Sequence, residues 1–127
     1  MLQDFLNWIK IKFQIHTKIS RPNFKEREVW WSSFGQNVGD EENGKNESFS
    51  RPVLVLKKFN KHLALVVPTS RQLKDNPFYV QIAYKNQTYS ALISHIRTID
   101  VKRLDKKIAQ ISQNDFDLVR DRIRNFI

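Results

Sequence analysis

The chain contains no cysteine, which excludes structural disulfides, thiolate nucleophiles and cysteine-ligated zinc and fits a reducing compartment. Its three histidines, His16, His62 and His95, are scattered without ligand spacing. A metal enzyme is therefore the least favoured catalytic class, and no cofactor is expected. No apolar run approaches the ~20 residues that a membrane-spanning helix requires. The apolar N-terminus is interrupted by Asp4, Asn7 and Lys10, which makes a poor core for a secretory signal. Internal repeats and low-complexity tracts are absent as well.

What is present suits one globular domain. The length of 127 residues fits a single core, and 40% hydrophobic with 12% aromatic residues is too much for a disordered tail. Lys and Arg number 22 against 13 Asp and Glu, a formal charge of +9. Such an excess points to a polyanionic partner, because neutralising phosphates releases counterions and supplies affinity. Nucleic acid leads; anionic lipid and an acidic protein are the alternatives.

Leu2, Phe5, Leu6, Ile9 and Phe13 recur at helical spacing, which predicts a helix from residue 1 to about residue 18. By the usual logic the apolar stripe packs on the domain or on a second copy of it. The rival is a helix lying on a membrane surface, with Lys10, Lys12 and Lys18 at the head groups. Arg21-Pro22-Asn23 breaks the pattern, so residues 1–22 read as helix plus linker and residues 23–127 as the main domain.

Strands follow. Val29 to Phe34 is rich in strand formers, and residues 35–50 make a long polar loop. Val53-Leu54-Val55-Leu56 reads as a buried strand, and His62 to Val67 as another, stopped by Pro68. Phe78–Ile82 and Tyr89–Ile93 flank Lys85-Asn86-Gln87 as a hairpin. Ser112, with Asp115 three residues on, opens a C-terminal helix whose apolar face is Phe116, Val119, Ile123 and Phe126. Short strands without interleaved helices predict a mainly β, α+β protein: an antiparallel sheet curled or closed as a small barrel, with a helix at each end.

Four ordered stretches carry a resemblance. They are Arg27-Glu28-Val29-Trp30-Trp31; Gly39 through Glu41 and Gly44 into Ser50-Arg51-Pro52-Val53-Leu54-Val55-Leu56; Val67-Pro68-Thr69-Ser70; and Ile96-Arg97-Thr98-Ile99-Asp100 with Arg103-Leu104. Together they resemble the MazF/PemK family of toxin–antitoxin endoribonucleases, over roughly residues 24 to 127. The resemblance implies an SH3-like or CcdB-like β-barrel with a C-terminal helix, a homodimer, an antitoxin protein as partner and a cytoplasmic setting. It also implies metal-independent, sequence-specific cleavage of single-stranded RNA or mRNA by attack of a ribose 2′-hydroxyl, leaving a 2′,3′-cyclic phosphate and a 5′-hydroxyl. The N-terminal helix is an addition to this pattern. So are the absence of a glycine at Arg27-Glu28, where the family often has a glycine and an acid, and the extra length between Gly44 and Arg51.

That chemistry needs a base for the 2′ proton, an acid for the leaving 5′ oxygen and a cation for the phosphoryl charge. Arg51 matches the family's catalytic arginine, and a guanidinium fork suits two phosphate oxygens. Thr69 matches its active-site threonine and is suited to bonding the phosphate or the 2′-hydroxyl. For the base, the acid that some members carry before the Arg97 segment is replaced by Ile93 and Ser94, which leaves His95 and Glu41 as candidates. Ser70, Arg71, Trp31, Phe49 and Arg97 are candidate substrate contacts, the aromatics by stacking on unpaired bases. Lys57, Lys58, Lys61, Arg71 and Lys74 offer a phosphate path, with a solvated face as the plain alternative. Arg97 and Asp100 suggest an ion pair with a mainly structural role.

Two other functions compete. A non-catalytic binder on the same fold, a gyrase poison or a cleavage-dead relative, is favoured by the missing acid near Ser94. A basic membrane-surface protein rests on the N-terminal helix alone, and stable membrane association is not expected.

Overall fold

The strand at the centre of the molecule is Ser50–Lys58, β2, and both of its faces are buried. Val53 and Val55 point into one apolar cluster with Trp30, Val66 and Leu104, while Leu54 and Leu56 point into another with Val29, Val67 and Phe116. A strand alternates its side chains across the sheet, so burial on both faces demands a continuous apolar run. That is why Val53–Leu56 is unbroken. The computed structural model describes residues 2–16, 21–33 and 50–127.

Around β2 the chain forms a mainly antiparallel sheet with two helices. The elements are α1 (Leu2–His16), β1 (Glu28–Ser33), β2, β3 (Leu63–Ser70), β4 (Tyr79–Tyr84), β5 (Gln87–Leu92), β6 (Arg97–Asp100), β7 (Leu104–Gln110) and α2 (Gln113–Arg124). The strand order is β4-β5-β3-β2-β1-β7, with β6 also on β3. Residues Leu63–Val66 of β3 pair with β6, and Thr69 and Ser70 pair with β5. Pro68 falls in the gap between these pairings. There the flanking side of the strand asks for no ladder hydrogen bond, so β3 runs through the proline instead of stopping at it.

The expected barrel is not closed by hydrogen bonding. Among the described residues the pairing path is open, with β4 and β7 at its ends. Helix α2 occupies the β4 edge. Asp115 Oδ2 accepts the Ala83 N–H at 2.9 Å, and Arg122 Nη1 donates to the Pro77 carbonyl at 2.9 Å. These side chains satisfy groups that a closing strand would otherwise claim. The helix begins as expected, with the Ser112 hydroxyl accepting from the Asp115 N–H at 3.1 Å, and it buries Phe116 and Val119.

Strands β6 and β7 are not apparent in the residue pattern. The sequence Leu104-Asp105-Lys106-Lys107 looks like a solvated segment because β7 is an edge strand with only Leu104 fully buried. The hairpin between β4 and β5 turns on Lys85 and Asn86 alone, with φ of 52° and 60°. Two successive positive φ values are the backbone of a type I′ turn, whose twist matches that of the flanking strands.

Ahead of β1, Arg27 adopts φ 75°, a region that favours glycine. The departure from the family's glycine is therefore real in the backbone. It is held by contacts that glycine cannot make: Arg27 Nε and Nη2 donate to the Ile111 carbonyl at 3.2 and 3.0 Å, and Nη1 donates to Gln113 Oε1 at 3.2 Å. Next to it, Glu28 is buried and fully engaged. Its carboxylate accepts from Trp30 Nε1 at 3.0 Å and from the Lys25 N–H at 2.8 Å, and pairs with Lys107 at 3.0 Å. Burial alone raises its pKa, but the bonds from Trp30, Lys107 and Lys25 outweigh this and hold it below the usual glutamate value.

Helix α1 forms, but its wider apolar stripe does not pack on the domain. The half-buried side is Asn7, Trp8, Ile11 and Ile15, with the Arg103 guanidinium 5.7 Å from the Trp8 ring centre. The stripe Leu2, Phe5, Leu6, Ile9 and Phe13 faces outward in the single chain; Phe13 is 70% exposed. The helix thus has two apolar sides, and the docked one is the narrower. No helix among the described residues is long and apolar enough to cross a membrane. Asp100, at the end of β6, is held by Arg21 through bonds of 3.1 and 3.0 Å.

Replacing Glu28 with Ala leaves the buried Trp30 N–H without its acceptor and is expected to cost about 1–3 kcal/mol in urea unfolding. Lys107→Ala, at the solvated end of the same pair, is expected to cost less than about 1 kcal/mol. Equal losses would refute this account of Glu28. The double change Ile9→Ser with Phe13→Ser is expected to shift monomer stability by no more than about 0.5 kcal/mol, since neither side chain is buried on folding. A larger loss would place the outer stripe against the body.

Candidate active site

The register of the central strands gathers the candidate residues. Ser32 of β1 lies opposite Arg51 of β2, and Val53 lies opposite Pro68 of β3. Arg51 and Thr69 therefore come to the same end of adjacent strands. A cavity of about 350 Å³ opens there, and Trp31, Arg51, Thr69, Ser70 and Arg71 all line it. These residues span 41 positions of sequence, yet one strand end collects them.

Arg51 is 3% exposed. A guanidinium so placed is largely desolvated, which strengthens its attraction for an anion entering the cavity. Arg71 follows β3 and is exposed at the rim, as a second cation. Trp31 is 36% exposed and presents an aromatic surface to the same space. The Ser70 hydroxyl is turned to the Gln72 N–H at 3.2 Å, in a turn closed by Ser90 Oγ donating to the Gln72 carbonyl at 2.6 Å.

Three residues not singled out from the sequence also line the wall: Tyr84 of β4, Tyr89 of β5 and Ile108 of β7. The two tyrosine rings stack at 4.0 Å between centres with planes 6° apart. The Tyr84 hydroxyl lies 2.9 Å from Thr69 Oγ1, which also donates to the Pro52 carbonyl at 3.2 Å. Burial is the main influence on the Tyr84 phenol, and the neighbouring Tyr89 adds to it. The bond with Thr69 and the charge of Arg71 oppose them, and the net result is a pKa pushed up to about 12. Tyr84 therefore remains a neutral hydrogen-bond donor across the physiological range. The pattern did contain a signal for it. Val80, Ile82 and Tyr84 alternate on the buried face of β4, and a buried phenol needs a polar partner.

Other candidates lie elsewhere. His95 ends the short 3-10 turn Ile93–His95, with Nδ1 3.0 Å from Ser94 Oγ, and it does not line the cavity. Arg97 sits on β6, paired with Val66, and is also away from it. Lys57 and Lys58 are at the far end of β2 from Arg51, roughly 20 Å along the strand at ~3.3 Å per residue. Lys58 is pinned to the Phe24 carbonyl at 3.2 Å. Of the expected phosphate path only Arg71 lines the cavity. Lys74 instead covers the Tyr79 ring, 5.5 Å from its centre. Glu41 and Phe49 lie outside the described residues.

Residues 25–127 match a family model described as the PemK-like, MazF-like toxin of type II toxin–antitoxin systems. Among solved structures, MazF from Deinococcus radiodurans aligns with a TM-score of 0.67 at 23% identity, covering 84% of this chain and 96% of that one. A MazE–MazF complex from the same organism aligns with a TM-score of 0.63 at 20% identity, covering 84% of this chain and 95% of that one. The Mycobacterium tuberculosis toxin MazF-mt6 aligns with a TM-score of 0.59 at 17% identity, covering 78% of this chain and 94% of that one. At these identities the likeness speaks for the fold. No curated protein matches the sequence significantly.

The environment of Tyr84 has a consequence at high pH. Its pKa is raised in the folded state above the value near 10 of an unfolded tyrosine, so the unfolded chain loses this proton first as the pH rises. Stability from this group is complete below about pH 10 and is lost as the pH rises toward about 12. Unfolding measured across that window is expected to show a smaller loss for Tyr84→Phe than for the wild type. Parallel curves would contradict the assignment.

Proposed function

This chain belongs to the PemK-like, MazF-like toxins of type II toxin–antitoxin systems, and on that premise we propose that it is a metal-independent endoribonuclease acting on single-stranded RNA. The observation that carries the reading is the convergence of Arg51 and Thr69, the residues matching the family's active-site pair, on one cavity with Arg71, Trp31 and two tyrosines. A binder of folded protein has no need for a desolvated guanidinium beside an oriented hydroxyl. A phosphodiester-cleaving site needs both.

In this reading the scissile phosphate enters against Arg51, whose fork holds two of its oxygens and stabilises the charge that grows as the 2′ oxygen attacks phosphorus. Arg71 supplies a second cation at the rim. The 2′ oxygen forms a bond to phosphorus, the bond to the 5′ oxygen breaks, and the products are a 2′,3′-cyclic phosphate and a 5′-hydroxyl. Thr69 sits beside the reacting ribose, and Trp31 stacks on a neighbouring base. Among the described residues the cavity wall contains neither carboxylate nor imidazole. Of the two sequence candidates for moving the proton from the 2′ oxygen toward the 5′ oxygen, His95 does not line the cavity and Glu41 lies outside the described residues; Glu41 is the one we propose for that role. Residues 23–127 act as the toxin module and residues 1–22 as an addition to it. A homodimer, a cytoplasmic setting and an antitoxin protein as regulator belong to the same proposal. A solved MazE–MazF complex among the structural neighbours supports the last of these. The net charge of +9 suits both an RNA and an acidic antitoxin segment.

The purified protein in EDTA is expected to cut unpaired RNA at short motifs and leave cyclic phosphate ends. Arg51→Ala is expected to lower kcat by about 10²–10³, and Lys57→Ala, at the far end of β2, to leave it within about twofold. Intact RNA with the wild type over diverse single-stranded substrates would sink the enzyme reading and favour a non-catalytic binder on this fold.

A further inference from the structure

The wider apolar stripe of α1 serves neither the core nor the candidate active site. Leu2, Phe5, Leu6, Ile9 and Phe13 are 40–75% exposed, on a helix whose opposite side is docked. A continuous apolar surface of this kind marks a place where something else binds. Its flanks carry charge of one sign. At 3.6 residues per turn, Lys10 falls on one flank of the stripe and Lys12 on the other, and both are exposed. Asp4, the only acidic residue of the helix, falls on the far side.

A second observation lies beside this helix. A cavity of about 310 Å³ opens between α1 and the turn Val101–Arg103 that follows β6. Among the described residues its lining sets Lys12, Arg21, Lys102 and Arg103 against one carboxylate, Asp100. That carboxylate is already engaged. Arg21 holds both of its oxygens, and one of them also accepts the Lys102 N–H at 2.9 Å. Arg103 is half-buried at the recess. Burial, and then the charge of Arg97, hold its pKa below the usual arginine value, with Asp100 opposing. The recess therefore keeps an excess of positive charge and favours an anion. Lys12 belongs to both features, so stripe and recess form one continuous surface.

We propose that the outer stripe of α1 and this basic recess form a docking surface for an anionic phospholipid bilayer. The helix lies in the plane of the interface. Its stripe enters the acyl boundary, and Lys10 and Lys12 reach the phosphates from either flank. The recess beside Lys12 takes a head-group phosphate. The contact is shallow and reversible, because a single short helix enters. A second copy of the chain does not fit this surface. Two stripes face to face would set lysine flanks against lysine flanks, with Asp4 turned away from both. An RNA would fill the recess and leave the stripe in water. A bilayer covers both at once. The proposal is independent of the ribonuclease reading, since neither feature lines the candidate active site.

The test is flotation of the full-length protein with vesicles of two compositions. One contains equal parts phosphatidylglycerol and phosphatidylcholine, and the other phosphatidylcholine alone. Partition into the anionic vesicles is expected to be at least about tenfold stronger, and to weaken as salt is raised. Ile9→Ser with Phe13→Ser, whose side chains are not buried on folding, is expected to reduce that partition at least about tenfold. The same variant is expected to keep its RNA cleavage in solution. Lys12→Ala with Lys102→Ala is expected to weaken anionic binding about tenfold and to leave the neutral vesicles unaffected. Equal partition into both compositions overturns the proposal. So does an unchanged partition of the Ile9→Ser, Phe13→Ser variant, which would reduce the attraction to net charge. A wild type that ignores both vesicles overturns it as well. In that event, a larger assembly for the wild type than for the variant by light scattering assigns the stripe to a second copy, and equal masses assign it to another protein.

Discussion

Everything in this structure depends on β2 being buried on both faces. Its alternate side chains enter two separate apolar clusters, so sliding the strand by one residue would send Val53 and Val55 where Leu54 and Leu56 belong. That penalty fixes β1 and β3 against β2 with a single register. The register in turn sets Arg51 beside the end of β3, where Thr69 emerges. The candidate site is thus a consequence of core packing, and its geometry is as rigid as the sheet beneath it.

At that strand end the physical problem is to hold polar groups where water is largely excluded. Arg51 is almost fully buried, and Tyr84 and Thr69 are buried with it. Each hydroxyl answers to a defined partner, and the raised pKa of Tyr84 keeps its proton in place. Such an arrangement is set before any ligand arrives, which spares a reacting phosphate the reorganisation that solvent would demand. The aromatic rings that shield these groups also offer stacking surfaces, so one set of residues dries the cavity and shapes it for a base.

The remainder of the chain holds this frame by local compromises. Arg27 takes a backbone conformation suited to glycine and compensates with bonds to the start of α2. Glu28 ties β1 to β7 through Lys107 and satisfies a buried tryptophan nitrogen. Helix α2 guards the β4 edge with Asp115 and Arg122, where a closed barrel would have placed a strand. Helix α1 docks through Trp8 onto Arg103 and keeps its broader apolar stripe outward.

Local patterns settled a good part of this protein. The unbroken run Val53–Leu56, the alternation along β4 and the Ser112 cap specify a buried strand, a half-buried strand and a helix start, because each depends on neighbours a few residues away. Arg51 and Thr69 stood out through ordered motifs. Tertiary structure alone decided what lies across from what. It brought Tyr84 to Thr69 and left His95 and Lys57 away from the cavity. It made the polar β7 an edge strand through pairing with β1, carried β3 through Pro68 and turned the stripe of α1 away from the body. The reason is that periodicity reports which face of an element is covered and stays silent on what covers it. Partners across a sheet are chosen by long-range register, and no local stretch of sequence contains that choice.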